Sequence, residues 1–262
     1  MSNQPKKAPC SIALLAHVDA GKTTLSEALL YVSGARRQMG RVDHRDAFLD
    51  THDLERSRGI TIFSKQARLK TPKLDITLVD TPGHVDFAAE AERTLSILDC
   101  AVLVISGTDG IQAHTVTLWR LLEKYQVPTF LFINKMDLPG MEKDALLEQL
   151  QSQLSPACTD FNQDYDAIAE AAALCDEALL ENYLSDGTVT PGNLRGLISR
   201  RKLFPCCFGS GLKLKGVEEF LQVLSDYAPE REYGEAFAAR VYKISRDPQG
   251  SRLTWLKVTG GS

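Results

Sequence analysis

The sequence predicts an α/β fold in which a mostly parallel sheet is covered by helices. Apolar runs of strand length alternate with helix-like stretches along most of the 262 residues. This is the pattern of parallel strands joined by helical crossovers. Several polar motifs follow directly after apolar runs, and ligands of such folds bind at the carboxyl ends of the strands. The sequence therefore also predicts a binding site along that edge of the sheet.

The predicted elements follow from the spacing of apolar residues. Strands are predicted over 11–15, 61–69, 74–79, 100–105, 128–133 and 204–208, with the second and third forming a hairpin at the sheet edge. Helices are predicted from about residue 25 and over 86–97, 112–125, 141–154 and 216–227. The polar stretch 34–59 is too long for an ordinary connection, which predicts a functional loop.

Composition places the chain among ordinary globular proteins. Hydrophobic residues make up 44% and charged residues 24% of the chain, with a formal net charge of −4. The six cysteines contain no Cys-x-x-Cys pair, which favours buried, reduced thiols over a metal site. No apolar run approaches the length of a membrane span. We therefore expect a soluble, cytoplasmic protein that binds neither membrane nor DNA and is monomeric.

A phosphate-binding loop is predicted between the first strand and the first helix. Its residues are Ala16, His17, Val18, Asp19, Ala20, Gly21, Lys22, Thr23 and Thr24. Residues 19 to 24 are expected to contact phosphate, because successive backbone N–H groups and the helix N-terminus form an anion site. Lys22 is expected at the β- and γ-phosphates and the Thr23 hydroxyl at Mg²⁺. Ala16 replaces the glycine of the strict motif, so a chance Gly-Lys-Thr stays open at this point.

Two further motifs, Arg58-Gly59-Ile60-Thr61 and Asp80-Thr81-Pro82-Gly83, supply other requirements of nucleotide hydrolysis. Asp80 at a strand end is expected to bind Mg²⁺. Gly83 lets a backbone N–H approach the γ-phosphate. Thr61 follows the long loop, where the γ-phosphate and Mg²⁺ can order the chain.

A fourth motif is expected to select the base of the nucleotide. Its residues are Asn134-Lys135-Met136-Asp137. The Asp137 carboxylate can accept hydrogen bonds from N1 and N2 of guanine, while Asn134 braces the pocket. Adenine has no such donor pair, and leaving a buried carboxylate unpaired penalises ATP by roughly 10⁴-fold. The motif therefore opposes an ATP-using enzyme of the same loop type.

The four motifs in this order resemble the translational GTPases. Within that family the chain is similar to elongation factor G and to the tetracycline-resistance ribosomal protection proteins. The closer match rests on 54–62, 106–112 and 204–227. Leu138-Pro139 stands where elongation factor G usually has Arg, which favours the ribosomal protection type, with translocation as the alternative.

The resemblance implies Mg²⁺-dependent hydrolysis of GTP to GDP, stimulated by ribosomal RNA and ribosomal proteins. It implies that His84 orients the attacking water and that Val18 and Ile60 form an apolar gate around it. It places Lys135 in the base pocket, and Ser210 and Gly211 in a fifth motif. Gly211 replaces the usual Ala there, and the expected contact is a backbone N–H that Gly also has.

Two residue roles and one function class stay open. Asp19 either helps to hold a cation or caps the loop. Arg58 either acts on transition-state charge in cis or serves as an RNA contact or solvated side chain. A regulatory GTP-binding module with incidental hydrolysis is the alternative of another class, and His84 argues against it because pure binding does not need that residue.

The expected domains are a GTP-binding domain over 1–229 and, over 230–262, a linker and the truncated start of a β-rich second domain, expected to be a β-barrel. The chain is therefore expected to be a fragment. A small helical insertion with an acidic face is expected over about 155–202. That face is either solvated or a protein-docking surface.

Residues 36–73 hold ten Lys or Arg against five Asp or Glu, and are expected to carry RNA contacts.

Overall fold

The computed structural model describes residues 7–40, 65–80, 94–230, 234–246 and 249–261. Strands in this part of the chain are β1 Ala8–Ala16, β2 Lys65–Lys70, β3 Leu74–Asp80, β4 Cys100–Ser106, β5 Thr129–Asn134, β6 Cys158–Asp160, β7 Phe204–Phe208, β8 Ala238–Arg246 and β9 Arg252–Gly260. Helices there are α1 Lys22–Val32, α2 Ala113–Lys124, α3 Lys143–Gln153, α4 Tyr165–Ala173, α5 Glu177–Asp186, α6 Pro191–Ser199 and α7 Val217–Tyr227.

The first seven strands form one sheet in the order β2-β3-β1-β4-β5-β7-β6. Every neighbouring pair described in it is parallel except β2 with β3, which form an antiparallel hairpin at one edge. The predicted mostly parallel sheet and the predicted edge hairpin are both confirmed. The carboxyl ends of β1, β4, β5 and β7 consequently lie along the same edge.

The central strands are buried on both faces, which is why they read as continuous apolar runs. Every residue of β4 and β5 is buried. Along β5, Phe130 and Phe132 enter the core cluster that contains α1 and α7 residues, whereas Leu131 and Ile133 enter the cluster on the α2 side. This alternation follows from the two-residue period of a strand.

The stretch 155–202 contains the three helices α4, α5 and α6, in agreement with the expected helical insertion, and it also contains a short strand that the sequence did not predict. It begins with β6, which adds to the free edge of the sheet by pairing in parallel with β7. A strand of three residues is too short to produce a detectable alternation. The first two helices of this stretch are separate, because α4 ends at Ala173 and α5 begins at Glu177.

Several acids of this stretch have structural partners within the chain. Asp164 accepts the Ala167 N–H at 2.9 Å and caps α4. Asp176 caps α5 and binds Lys202 at 2.6 Å, and this contact with Lys202 lowers the pKa of the Asp176 carboxyl. These acids therefore stabilise helix starts as well as contributing to the predicted acidic face.

Strands β8 and β9 pair with each other in an antiparallel two-stranded sheet separate from the large one. Both strands lie within residues 230–262, while the domain boundary at 229 remains a prediction. Predicted strand residues 61–64 and most of the predicted helix over 86–97 lie outside the described residues. Within the described ranges, none of the helices combines the length and the apolar character needed to cross a bilayer.

Asp160 at the end of β6 is a buried charge with two partners. Its side chain has no solvent exposure, Oδ1 accepts the Asn162 N–H at 2.9 Å, and the Lys143 ammonium lies against Oδ2 as an ion pair. Lys143→Met is therefore expected to lower the free energy of unfolding by about 2–3 kcal/mol, since the carboxylate loses its counter-charge without regaining water. Urea denaturation at neutral pH measures this change.

Asp160→Asn keeps an oxygen acceptor and removes the charge. The double variant Lys143→Met/Asp160→Asn is thus expected to be more stable than Lys143→Met alone. A double variant that is less stable than the single one would contradict the ion-pair explanation.

Candidate functional site

The loop between β1 and α1 has the backbone of an anion-binding turn. Asp19 and Gly21 both adopt left-handed conformations, with φ of 61° and 89°. The Ala20 N–H donates to the His17 carbonyl at 3.2 Å and closes the turn. Gly21 is the N-cap of α1 and provides no side-chain cap. The first amides of α1 thus face the loop without a capping side chain, as an anion site requires.

The substitution of Ala16 for the motif glycine is explained by its position. Ala16 is the last residue of β1, lies opposite Val104 of β4 and is 1% exposed. Its methyl group belongs to the hydrophobic core, so a residue with a Cβ fits at this point.

Asn134 connects the loop after β1 with the loop after β7. It is 3% exposed, its Nδ2 donates to the Ala20 carbonyl at 2.9 Å, and its Oδ1 accepts the Gly211 N–H at 2.9 Å. A Cβ on Gly21 would lie 2.2 Å from Asn134 Nδ2, so residue 21 must be glycine for the amide to reach Ala20. These contacts hold the Asn134 amide between the two loops, while its role in a base pocket stays a prediction.

The loop after β7 packs directly on the start of α1. Ser210 is 1% exposed, its N–H donates to the Lys215 carbonyl at 2.8 Å, and its hydroxyl accepts the Lys213 N–H at 3.2 Å. A Cβ on Gly211 would lie 3.3 Å from the Leu25 backbone, which is closer than a methyl group normally sits. The glycine at 211 therefore permits the close approach of this loop to α1.

The loop after β5 presents its polar groups at the same edge. Lys135 has a left-handed φ of 65°, Asp137 is exposed, and the Lys135 ammonium lies 3.7 Å from the Asp109 carboxylate. Hydrogen bonding from Ser106, followed by the charge of Lys135, lowers the pKa of Asp109. Sequence reasoning missed Asp109 as a partner of Lys135. The available signal was its place just after β4, the strand beside β5.

His17 and His114 also meet at this edge, with ring centroids 6.0 Å apart. No sequence pattern connects them, because His17 follows the first strand and His114 belongs to α2. Their contact follows from the adjacency of β1 and β4.

The structure assigns positions to part of the predicted site. Lys22 is 8% exposed in the first turn of α1, Thr23 and Thr24 are half-buried beside it, and Val18 is half-buried in the preceding loop. Asp80 ends β3, and its backbone lies opposite Leu14 of β1. The predicted residues outside the described ranges are Ile60, Thr61, Gly83 and His84.

The contact between Gly21 and Asn134 can be tested by a double-mutant cycle. Asn134→Ala is expected to cost about 2 kcal/mol of stability, because the Ala20 carbonyl and the Gly211 N–H lose their partner. Gly21→Ala is expected to cost more in the natural background than in the Asn134→Ala background, where the clash partner is gone. Urea denaturation of the four proteins measures the coupling, and strict additivity would exclude the contact.

Comparisons with known proteins place this geometry in a family. A family model described as the elongation factor Tu GTP binding domain matches residues 7–230. Tetracycline resistance protein TetO of Campylobacter jejuni and TetP of Clostridium perfringens are each 34% identical to the chain, over 96% of its length and 42% of theirs. A crystal structure of a protein from Thermus thermophilus superposes with a TM-score of 0.86 at 26% identity, covering 97% of this chain and 46% of that one.

The chain spans about two fifths of the length of these curated relatives, at 42%. The matched residues include the described loops after β1, β5 and β7, in which Asn134 joins Ala20 to Gly211. The chain therefore belongs to the family of elongation factor Tu GTP-binding domains.

Proposed function

We propose that this chain is the GTP-hydrolysing part of a ribosome-associated, cytoplasmic translation factor of the tetracycline-resistance ribosomal protection type. The observation that carries the proposal is the Asn134 amide, which holds the loops after β1, β5 and β7 together beside an uncapped helix start. Two relatives that match 96% of the chain are named tetracycline resistance proteins, which favours this type over a translocation factor.

Binding of GTP or GDP follows from the groups at this edge. The first amides of α1 and the Lys22 ammonium supply positive potential for the phosphates. Asp137 is exposed at the end of the neighbouring loop, where its carboxylate can accept from the guanine edge. The part of the site proposed to hold the guanine base is completed by Lys135, Ser210 and Gly211. Asp19 lies in the turn, where its carboxylate can face a cation at the phosphates.

We propose a magnesium site formed by residues of α1, of the end of β3 and of the segment before β2. The Thr23 hydroxyl lies in the first turn of α1, and the backbone of Asp80 ends the strand beside β1. Hydroxyl and carboxylate oxygens are the ligands that Mg²⁺ prefers. Thr23, Asp80 and Thr61 are the residues proposed to hold the ion, which neutralises charge on the β- and γ-phosphates when bound.

Hydrolysis is proposed to depend on one histidine and two apolar residues. His84 is proposed to orient the attacking water, with Val18 and Ile60 shielding it. Val18 is half-buried in the loop before Gly21. Such GTPases turn over slowly, at about 10⁻⁴ to 10⁻² s⁻¹, until a partner completes the site. We propose ribosomal RNA and ribosomal proteins as that partner.

Asp137→Asn tests the base pocket in this chain. The variant is expected to bind xanthosine triphosphate better than GTP, because the xanthine C2 oxygen accepts a hydrogen bond from the new amide where guanine donates one. Calorimetric titration with both nucleotides and Mg²⁺ measures the preference. An unchanged preference for GTP would overturn the placement of the base beside Asp137.

His84→Ala tests the assignment of catalysis in a protein that carries this sequence within its full natural length. The affinity for GTP is expected to stay within about threefold, while ribosome-stimulated phosphate release falls by about a hundredfold or more, because a positioned water counts only in the transition state. Arg58→Ala serves as the comparison and is expected to have a smaller effect. The opposite ranking would exchange the two roles, and turnover that ribosomes do not change would contradict the proposed partner.

A further inference from the structure

The loop after β4, residues 107–110, lies directly against the loop after β5. The Gly107 N–H donates to the Asn134 carbonyl at 2.8 Å. A Cβ on Gly107 would lie 3.1 Å from the Met136 sulfur and 3.2 Å from the Asn134 carbonyl oxygen, so the absence of a side chain at residue 107 permits this close approach. The loop after β4 therefore keeps one position relative to the residues that begin the proposed base-binding motif.

Asp109 is held within the loop after β4 by two hydroxyl groups. Ser106 is 3% exposed, and its carbonyl accepts the Gly110 N–H at 2.8 Å, which closes the loop. The Ser106 hydroxyl is hydrogen-bonded to the Thr108 hydroxyl at 2.7 Å. Hydrogen bonding from Ser106 is the largest cause that lowers the pKa of Asp109, and hydrogen bonding from Thr108 acts in the same direction. The carboxylate is therefore charged at neutral pH and is fixed in position by its own loop.

Lys135 is the residue of the loop after β5 that meets this carboxylate. Its backbone has a left-handed φ of 65°, and its ammonium lies 3.7 Å from Asp109 Oδ2. The two side chains are 31% and 48% exposed, and ion pairs as exposed as this one contribute little to stability. The contact consequently matters less for the folding of the chain than for where the Lys135 ammonium lies.

The position of the ammonium determines how the apolar stem of Lys135 lies. The stem begins beside Asn134 and ends at the loop after β4, so it crosses from one loop to the other. A lysine stem covers apolar surface while its charged end stays in water. Held in this way, the stem can cover the flat face of a purine whose edge is bound by Asp137. A free lysine side chain would lose rotamer freedom on binding, whereas one already held by Asp109 loses less.

We propose that Asp109 is a positioning residue for the guanine nucleotide and acts through Lys135. This inference rests on the proposed binding of GTP and GDP. Both nucleotides carry the same base, so loss of Asp109 must weaken the binding of both to the same extent. A stem that covers the face of the base does not contact its edge, so the preference for guanine over other bases must not change.

Asp109→Asn tests the inference in the whole chain. The variant keeps the shape of the side chain and removes the charge that holds Lys135. Calorimetry with Mg²⁺ gives the affinities for GDP and for a non-hydrolysable GTP analogue, and we expect both to fall by about fivefold, the upper end for an exposed ion pair. The sign is decisive, because removing a negative charge near an anionic ligand would by itself raise the affinity. The midpoint of urea denaturation is expected to stay unchanged.

Three further variants separate positioning from charge. Asp144→Asn is the matched control, because Asp144 is an exposed carboxylate in the first turn of α3, directly after the loop that follows β5. It is expected to leave both affinities within about twofold. Lys135→Met keeps an apolar stem without the ammonium, so adding Asp109→Asn to it should change the affinities by less than about twofold. Asp109→Glu retains a carboxylate and is expected to recover part of the affinity.

Three results would overturn the inference. They are an affinity that rises or stays unchanged in Asp109→Asn, an equal loss in the natural and Lys135→Met backgrounds, and a loss confined to the GTP analogue. Titration with inosine diphosphate, which lacks the exocyclic amine of guanine, checks the base edge, and Asp109→Asn is expected to keep the natural ratio of GDP to inosine diphosphate affinity. Absence of nucleotide binding by the unaltered protein would instead overturn the proposed function, and this inference with it.

Discussion

The two hydrogen bonds of the Asn134 side chain are the constraint on which the candidate site depends. One amide holds the Ala20 carbonyl and the Gly211 N–H, so loops from β1, β5 and β7 keep one relative position. The position of the amide also restricts which residues can lie beside it. Gly21 must lack a Cβ because Asn134 occupies that space, and Gly211 lies against the backbone of Leu25. A satisfied buried amide of this kind is rigid because breaking either bond leaves a buried polar group without a partner.

Buried carboxylates fix the connections around this centre. Glu27 of α1 has no side-chain exposure, and its Oε2 accepts from the Arg36 guanidinium at 2.6 Å and the Gly40 N–H at 3.1 Å. It thereby holds the chain that leaves α1 against the helix. Asp99 holds the residues that precede β4 against Ser11 of β1. Asp160 holds the end of β6 against Lys143 of α3. In each case the buried carboxylate favours one position of the neighbouring segment, because any other position would leave the charge buried without its partner.

The cysteines contribute to packing. Five of the six are buried, and burial is the main cause that raises the pKa of Cys206 and of Cys207. Because the thiolate is the reactive form, thiols in this state are inert. The expectation of buried thiols is confirmed for five of the six cysteines, none of which forms a disulfide in the structure. Among the described residues there is no group of His, Cys, Asp or Glu that could hold a metal ion through these side chains.

The sequence alone determined the α/β architecture, the edge hairpin and the loops at the strand ends. It could do so because strands buried on both faces are continuous apolar runs, and because glycine and polar residues mark where such runs stop. Only the tertiary structure decided what each loop residue touches. Ala16 fits because Val104 lies opposite it, Asp109 meets Lys135 because β4 and β5 are neighbours, and β6 exists because β7 offers a free edge. These contacts join residues far apart in the chain, and local spacing carries no information about which distant backbone a side chain will meet.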